Sequence, residues 1–169
     1  MTSDNLAILR EPADRGEAPP GDGARTALML TGCVEPVLTP ATQDAAARVL
    51  GRRGITTRPA AGCCGALAYH SGEIERARAQ VRRNIDAWHP GLRDGEGLVI
   101  TATGCAAFVR DYPSLCRGDA EYEVRAGELA ERVRDIADFL TPMQLAEPPT
   151  VALHLPCSLR HALGQADRL

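Results

Sequence analysis

Residues 61–66 read Ala61-Gly62-Cys63-Cys64-Gly65-Ala66, and the reading of this stretch decides the fold. Adjacent cysteines cannot easily bond each other, so Cys63 and Cys64 need partners elsewhere in the chain. Cys33 lies upstream and Cys105 downstream, each where a short apolar run stops and a helical pattern starts. Gly62 and Gly65 flank the pair and let the backbone turn sharply and approach a bound group closely. Four thiols delivered to such junctions are expected to converge on one metal centre.

Working outward, the same pattern recurs. Ala27-Leu28-Met29-Leu30 is a short buried-strand run that leads to Thr31-Gly32-Cys33. Thr39-Pro40 reads as a helix start, with Pro at the first helical position, and that helix runs to about Arg53 before Gly54. Ile55 to Arg58 reads as a second strand ending at Pro59. Beyond Ser71, the spacing of Ile74, Ala77, Val81, Ile85 and Trp88 predicts an amphipathic helix. Leu98-Val99-Ile100 reads as a third strand closing on Thr103-Gly104-Cys105. Helical sequence is expected from Ala106 to about Tyr112 and from Ala120 to Leu140. Val151-Ala152-Leu153 reads as a fourth strand, leading to His154-Leu155-Pro156-Cys157.

Strand–helix alternation of this kind predicts an α/β fold, a mostly parallel small sheet flanked by helices. Ligands of such open sheets gather at the carboxyl ends of the strands. Cys33, Cys63, Cys64, Cys105 and Cys157 all follow an expected strand end, so topology alone would bring them to one edge.

Composition narrows the function classes. The chain has 169 residues, 44% hydrophobic and only 4% aromatic, so its core must be built mainly of Ala, Leu, Val and Ile. A net charge of −3 gives no basic footprint, and no nucleic-acid partner is expected. No apolar stretch approaches the roughly 18–20 residues that span a bilayer. Residues 1–24 lack the apolar segment of a signal peptide. A cytoplasmic location without a transmembrane segment is therefore expected. There, six clustered cysteines point to metal or redox chemistry rather than to structural disulfides. Residues 1–25, rich in Pro, Gly and charge, read as a disordered linker.

Thiolate ligands suit iron–sulfur clusters, zinc or copper(I). Neither the tightly spaced cysteines of a ferredoxin loop nor the paired C-x₂-C units of zinc modules are present, so spacing favours neither metal. No nucleophile triad, phosphate loop or dinucleotide fingerprint is visible, and no catalytic residue, nucleotide site or flavin site is expected in this chain.

The arrangement Cys33…Cys63-Cys64-Gly65…Cys105 resembles the cysteine-rich CCG domain. That domain occurs in heterodisulfide reductases, lactate-utilisation proteins and the iron–sulfur subunits of glycolate oxidases. The resemblance is strongest to the last group. It is carried by Gly32-Cys33-Val34-Glu35-Pro36, Tyr69-His70, Arg83-Asn84-Ile85-Asp86-Ala87-Trp88 and Thr103-Gly104-Cys105-Ala106-Ala107-Phe108. His154 to Leu159 resembles the opening of a second repeat. The resemblance implies a first CCG repeat over 26–145 and the start of a truncated second over 146–169. It implies an iron–sulfur cluster of the 4Fe–4S type on Cys33, Cys63, Cys64 and Cys105, with Cys157 at the first ligand position of the second repeat. It also implies a non-catalytic electron-transfer subunit of a glycolate or other 2-hydroxy-acid oxidising complex. The partners would be flavin-containing subunits, and any membrane association would be peripheral, through the complex. Position 108 is Phe where the heterodisulfide reductase branch has a further Cys, which argues against thiol–disulfide reduction.

Simpler readings stand beside these. A zinc-binding structural or assembly module would use the same four thiolates without redox chemistry, and an inactive remnant would hold reduced thiols. Cys116 follows no strand and reads as a small buried hydrophobe. His70, His89, His154 and His161 read as solvent-facing, capping or structural. The stretch from Glu121 to Arg134 reads as a solvated helical face.

Overall fold

The computed structural model describes residues 25–92, 95, 97–139, 150, 152 and 154–164. A four-stranded, all-parallel sheet organises them, in the order β2-β1-β3-β4. Strand β1 is Arg25–Leu30, β2 Ile55–Ala60, β3 Leu98–Val99 and β4 Val133–Arg134. The α/β architecture with a parallel sheet is as the alternation predicts. Its helices are α1 (Glu35–Leu38), α2 (Ala41–Arg52), α3 (Ala66–His70), α4 (Ile74–Trp88), α5 (Thr103–Arg110), α6 (Tyr112–Leu115) and α7 (Ala120–Glu131).

Alternation along β1 splits the core into two layers. Leu28 and Leu30 join Val81, Ile85 and Trp88 of α4, Ala106 and Val109 of α5, and Ala126 and Leu129 of α7. Ala27 faces the other way, into a smaller cluster with Leu50 of α2, Ile55 and Val99, against which Met29, Ile136 and Phe139 pack. Successive strand residues point to opposite faces, so a strand covered on both sides must be apolar throughout. That is why residues 27–30 read as an unbroken run. Helix α4 buries Ala77, Val81, Asn84, Ile85 and Trp88, the face its periodicity predicts plus one amide, but Ile74, which the stripe included, is exposed at the first turn. Among the described residues, strand β2 lies at the sheet edge and pairs with β1 through a register that sets Met29 against Pro59.

The fourth strand departs from the reading. Val151 and Leu153 lie outside the described residues, and Ala152 belongs to no element. The strand that completes the sheet is Val133–Arg134, within the stretch that reads as helix to Leu140. Helix α7 stops at Glu131, and a 3₁₀ turn, Ile136–Phe139, follows. Two residues are too few to impose a period-two pattern. Close backbone approach fixes them instead: Leu98 N–H donates to Arg132 O at 2.8 Å. A Cβ on Gly97 would lie 2.4 Å from that same oxygen. Gly97 is therefore required where β3 meets β4. Apart from Arg25, which begins β1, the expected linker lies outside the described residues. Leu159 and Leu163, from the stretch resembling a second repeat, are buried in the larger cluster.

Ile85 is fully buried in that cluster, whereas Val124 on α7 is 62% exposed. Ile85→Ala should lower unfolding free energy by about 2–5 kcal/mol. Val124→Ala should stay within about 0.5 kcal/mol. Urea unfolding of the two variants measures both, and equal losses would contradict this packing.

Candidate metal centre

Strands β1, β2 and β3 each finish at the same end of the sheet and hand the chain to a cysteine. Cys33 follows β1, Cys63 and Cys64 follow β2, and Cys105 sits in the first turn of α5, after β3. All four line one cavity of about 280 Å³, together with Glu35, His70 and Thr101. Cys33 Sγ lies 3.1 Å from Cys63 Sγ, and Cys64 Sγ lies 3.1 Å from Cys105 Sγ. All four are free thiols, Cys33 exposed, Cys63 and Cys105 partly covered and Cys64 buried. The remaining wall is largely apolar, with Leu30, Val34, Leu67 and Ile100. Cys157 is exposed and does not line the cavity. Cys116 is 3% exposed and packs in the core.

Helix α4 holds the cysteine loop in place, although it carries no thiol. Its Trp88 Nε1 donates to Ala61 O at 3.0 Å. Asn84 Nδ2 donates to Cys63 O at 2.8 Å, and Gln80 Nε2 donates to the same oxygen at 3.3 Å. The other Asn84 proton goes to the Tyr112 hydroxyl at 2.8 Å, which in turn donates to Cys64 O at 2.6 Å. Gln80, Asn84 and Trp88 recur every four residues, so one face of the helix presents three donors in a row. Asn84 is 6% exposed, and its amide nitrogen donates to both Cys63 O and the Tyr112 hydroxyl. A Cβ on Gly62 would lie 3.3 Å from Asn84 Oδ1, and Gly62 has φ +121. Gly65, with φ +97, turns the chain into α3. The flanking glycines are therefore needed for backbone shape and for closeness to α4.

Proton sharing shapes the thiols. The hydrogen bond from Cys64 lowers the pKa of Cys105, and the same bond, with burial, raises that of Cys64. The thiol of Cys33 is pushed up to about 11, first by its hydrogen bond to Cys63 and then by burial and the neighbouring sulfurs. Burial likewise raises the pKa of the Tyr112 phenol, keeping it a neutral donor. In each pair one thiol, Cys33 or Cys64, donates a hydrogen bond to the other sulfur. The four sulfurs thus meet through hydrogen bonds around one thiol-lined cavity. Among the described residues, no three His, Cys, Asp or Glu side chains meet as ligands of a single ion.

Several residues of the site escape the sequence reading. Gln80 and Asn84 border the apolar stripe of α4, and their spacing to Trp88 is the signal that could have found them. His70, read as capping or solvent-facing, is exposed but lines the cavity, its ring 6.1 Å from that of Phe108. Glu35 and Thr101 give no local signal, because they meet only in the folded chain.

Comparison with known proteins bears on this site. The family model of the cysteine-rich CCG domain matches residues 27–110. The glycolate oxidase iron-sulfur subunit of Escherichia coli (strain K12) is 42% identical over 152 residues, which is 85% of this chain and 37% of that protein. Lactate utilization protein A of Geobacillus thermodenitrificans (strain NG80-2) is 30% identical over 111 residues, 62% of this chain and 45% of the relative. The chain spans less than half the length of these curated relatives. No solved structure matches it.

The carbonyl clamp makes a quantitative expectation. Asn84→Ala and Tyr112→Phe each strip a donor from a cysteine carbonyl and should cost about 1–3 kcal/mol. Because the two share one chain of hydrogen bonds, the double variant should lose less than the sum. A double-mutant cycle by urea unfolding reads this, and strict additivity would refute the shared network.

Proposed function

We propose that this chain, which belongs to the cysteine-rich CCG family through residues 27–110, is an iron–sulfur electron-transfer subunit of a complex that oxidises glycolate or a related 2-hydroxy acid. The observation that carries this reading is the cavity that gathers thiols from the ends of three parallel strands. Thiolates are the natural donors for iron–sulfur clusters. The similarity to a glycolate oxidase iron-sulfur subunit supports the same donor chemistry, and the lactate utilisation relatives keep lactate within the substrate class.

In this reading Cys33, Cys63, Cys64 and Cys105 hold a cluster of the 4Fe–4S type. When bound, such a cluster stores and passes one electron at a time. The four sulfurs give up their thiol protons on loading, as metal ligation requires. Leu30, Val34, Leu67 and Ile100 limit water at the cavity wall. Gln80, Asn84, Trp88 and Tyr112 fix the loop carbonyls and so keep the sulfurs of Cys63 and Cys64 in place. In this reading the reaction on the organic acid belongs to flavin-containing partner subunits, and Cys33, Cys63, Cys64 and Cys105 would hold the group that takes up their electrons. The proposed organisation keeps residues 1–25 as a linker, 26–145 as one cysteine-rich repeat and 146–169 as the opening of another, with Cys157 a ligand of that second unit. Among the described residues no helix is long and apolar enough to cross a membrane. The proposed setting is the cytoplasm, with any membrane contact made through the complex.

Anaerobic reconstitution with iron and sulfide tests the reading. The chain should become brown, bind iron and sulfide together, and bleach with dithionite. Cys63→Ser and Cys64→Ser should each lose most of the bound iron, while Cys116→Ala, outside the cavity, should retain it. Colourless protein carrying one equivalent of zinc and no sulfide would establish the rival zinc module. Iron content unchanged in both serine variants would refute the ligand assignment.

A further inference from the structure

The cavity wall contains a carboxylate as well as thiols. Glu35 lies two residues beyond Cys33 and lines the cavity with the four sulfurs. Its Oε2 accepts a hydrogen bond from Gln43 Nε2 at 3.1 Å and another from the Thr101 hydroxyl. Gln43 Nε2 also reaches Thr31 O at 2.6 Å and Leu30 O at 3.2 Å. The carboxylate is thereby tied to the end of β1, to α2 and to the loop that enters α5. It bridges the segments bearing Cys33 and Cys105.

Tying these segments together does not require a charge. A neutral glutamine amide could accept the same two hydrogen bonds through its carbonyl oxygen. What only the carboxylate supplies is a fixed negative charge beside the sulfurs. We propose that Glu35 is a positioning residue that fixes this charge at the thiol-lined cavity and lowers the reduction potential of a cluster bound there. The inference rests on the iron–sulfur reading above. The step concerned adds one electron, taken from a reduced flavin, and forms or breaks no bond. It increases the negative charge in the cavity by one, and a neighbouring carboxylate opposes that increase. Charge around a cluster is one of the determinants of its potential.

The test uses the reconstituted chain with Glu35→Gln and Glu35→Asp. Bound iron and sulfide are quantified first, and the midpoint potential is then read by mediated titration of the visible absorbance. Glu35→Gln should bind as much iron as the wild type. At a fixed applied potential, its ratio of reduced to oxidised protein should rise about tenfold, which for a one-electron couple is an upward shift of about 59 mV. Glu35→Asp keeps the charge and should shift less than half as far. An unmoved potential in Glu35→Gln, a loss of its iron, or an equal shift in both variants would overturn the inference. In those cases wild-type iron and sulfide uptake would leave the proposed function standing. A wild-type chain that takes up no iron would remove both.

Discussion

Buried carbonyl groups set the terms of this structure. Strand β2 ends at Ala60, and the chain then bends through Gly62, Cys63 and Cys64, where no neighbouring strand accompanies it. A peptide oxygen taken from water without a donor is costly, so a loop of this kind persists only where donors await it. They come from Trp88, Asn84 and Gln80 on α4 and from Tyr112 at the start of α6. The orientation of α4 is in turn fixed by Val81 and Ile85, both fully buried in the cluster that includes Leu28 and Leu30 of the sheet. The placement of two thiols thus descends from the apolar face of a helix that contributes no sulfur. The aromatic side chains take part in the same arrangement. Trp88 stacks on Tyr112 at 6.4 Å, and Phe108 meets Tyr112 edge-on at 5.8 Å, so the donors are locked by packing as well as by hydrogen bonds.

Electrostatics pull the other way. Four ionised sulfurs in a partly apolar cavity would repel one another, and the Glu35 carboxylate adds to that repulsion. Hydrogen bonding to a partner sulfur, with burial, makes the thiols of Cys33 and Cys64 harder to ionise, whereas the hydrogen bond from Cys64 makes that of Cys105 easier to ionise. Bound cations would invert that balance, because metal charge favours the deprotonated thiol outright. Protonation and loading are therefore opposing states of the same cavity. Its backbone is held by amide, indole and phenol donors rather than by the thiols themselves.

Much of this was legible in the sequence because it depends on short-range patterns. The runs at 27–30 and 98–100, the stripe through Ala77, Val81, Ile85 and Trp88, and a cysteine after each of the first three strands were enough to give a parallel α/β sheet with thiols at one end of it. The two-residue β4 was not legible. Val133 and Arg134 are set by pairing with Leu98 and Val99, far away in the chain, and locally they continue a helix-like run. The carbonyl clamp was half legible. Asn84 lies inside a stretch that resembles the family, but nothing local says that its amide serves Cys63 and Tyr112. Glu35, Gln43 and Thr101 come from three segments, and only folding reveals them as one cluster.

The edge strand has a consequence of another kind. Parallel strands such as β2 offer their outer backbone groups to any extended peptide that approaches, and a self-complementary edge would let one molecule template the next. Pro59 has no amide hydrogen to offer, and Thr56 and Arg58 stand exposed on the same strand. Such features interrupt the hydrogen-bond ladder that fibril growth or sheet-to-sheet polymerisation would need. A protein whose reactive sulfurs gather at one end of its sheet is thus discouraged, by a single imino acid on its flank, from joining copies of itself side by side.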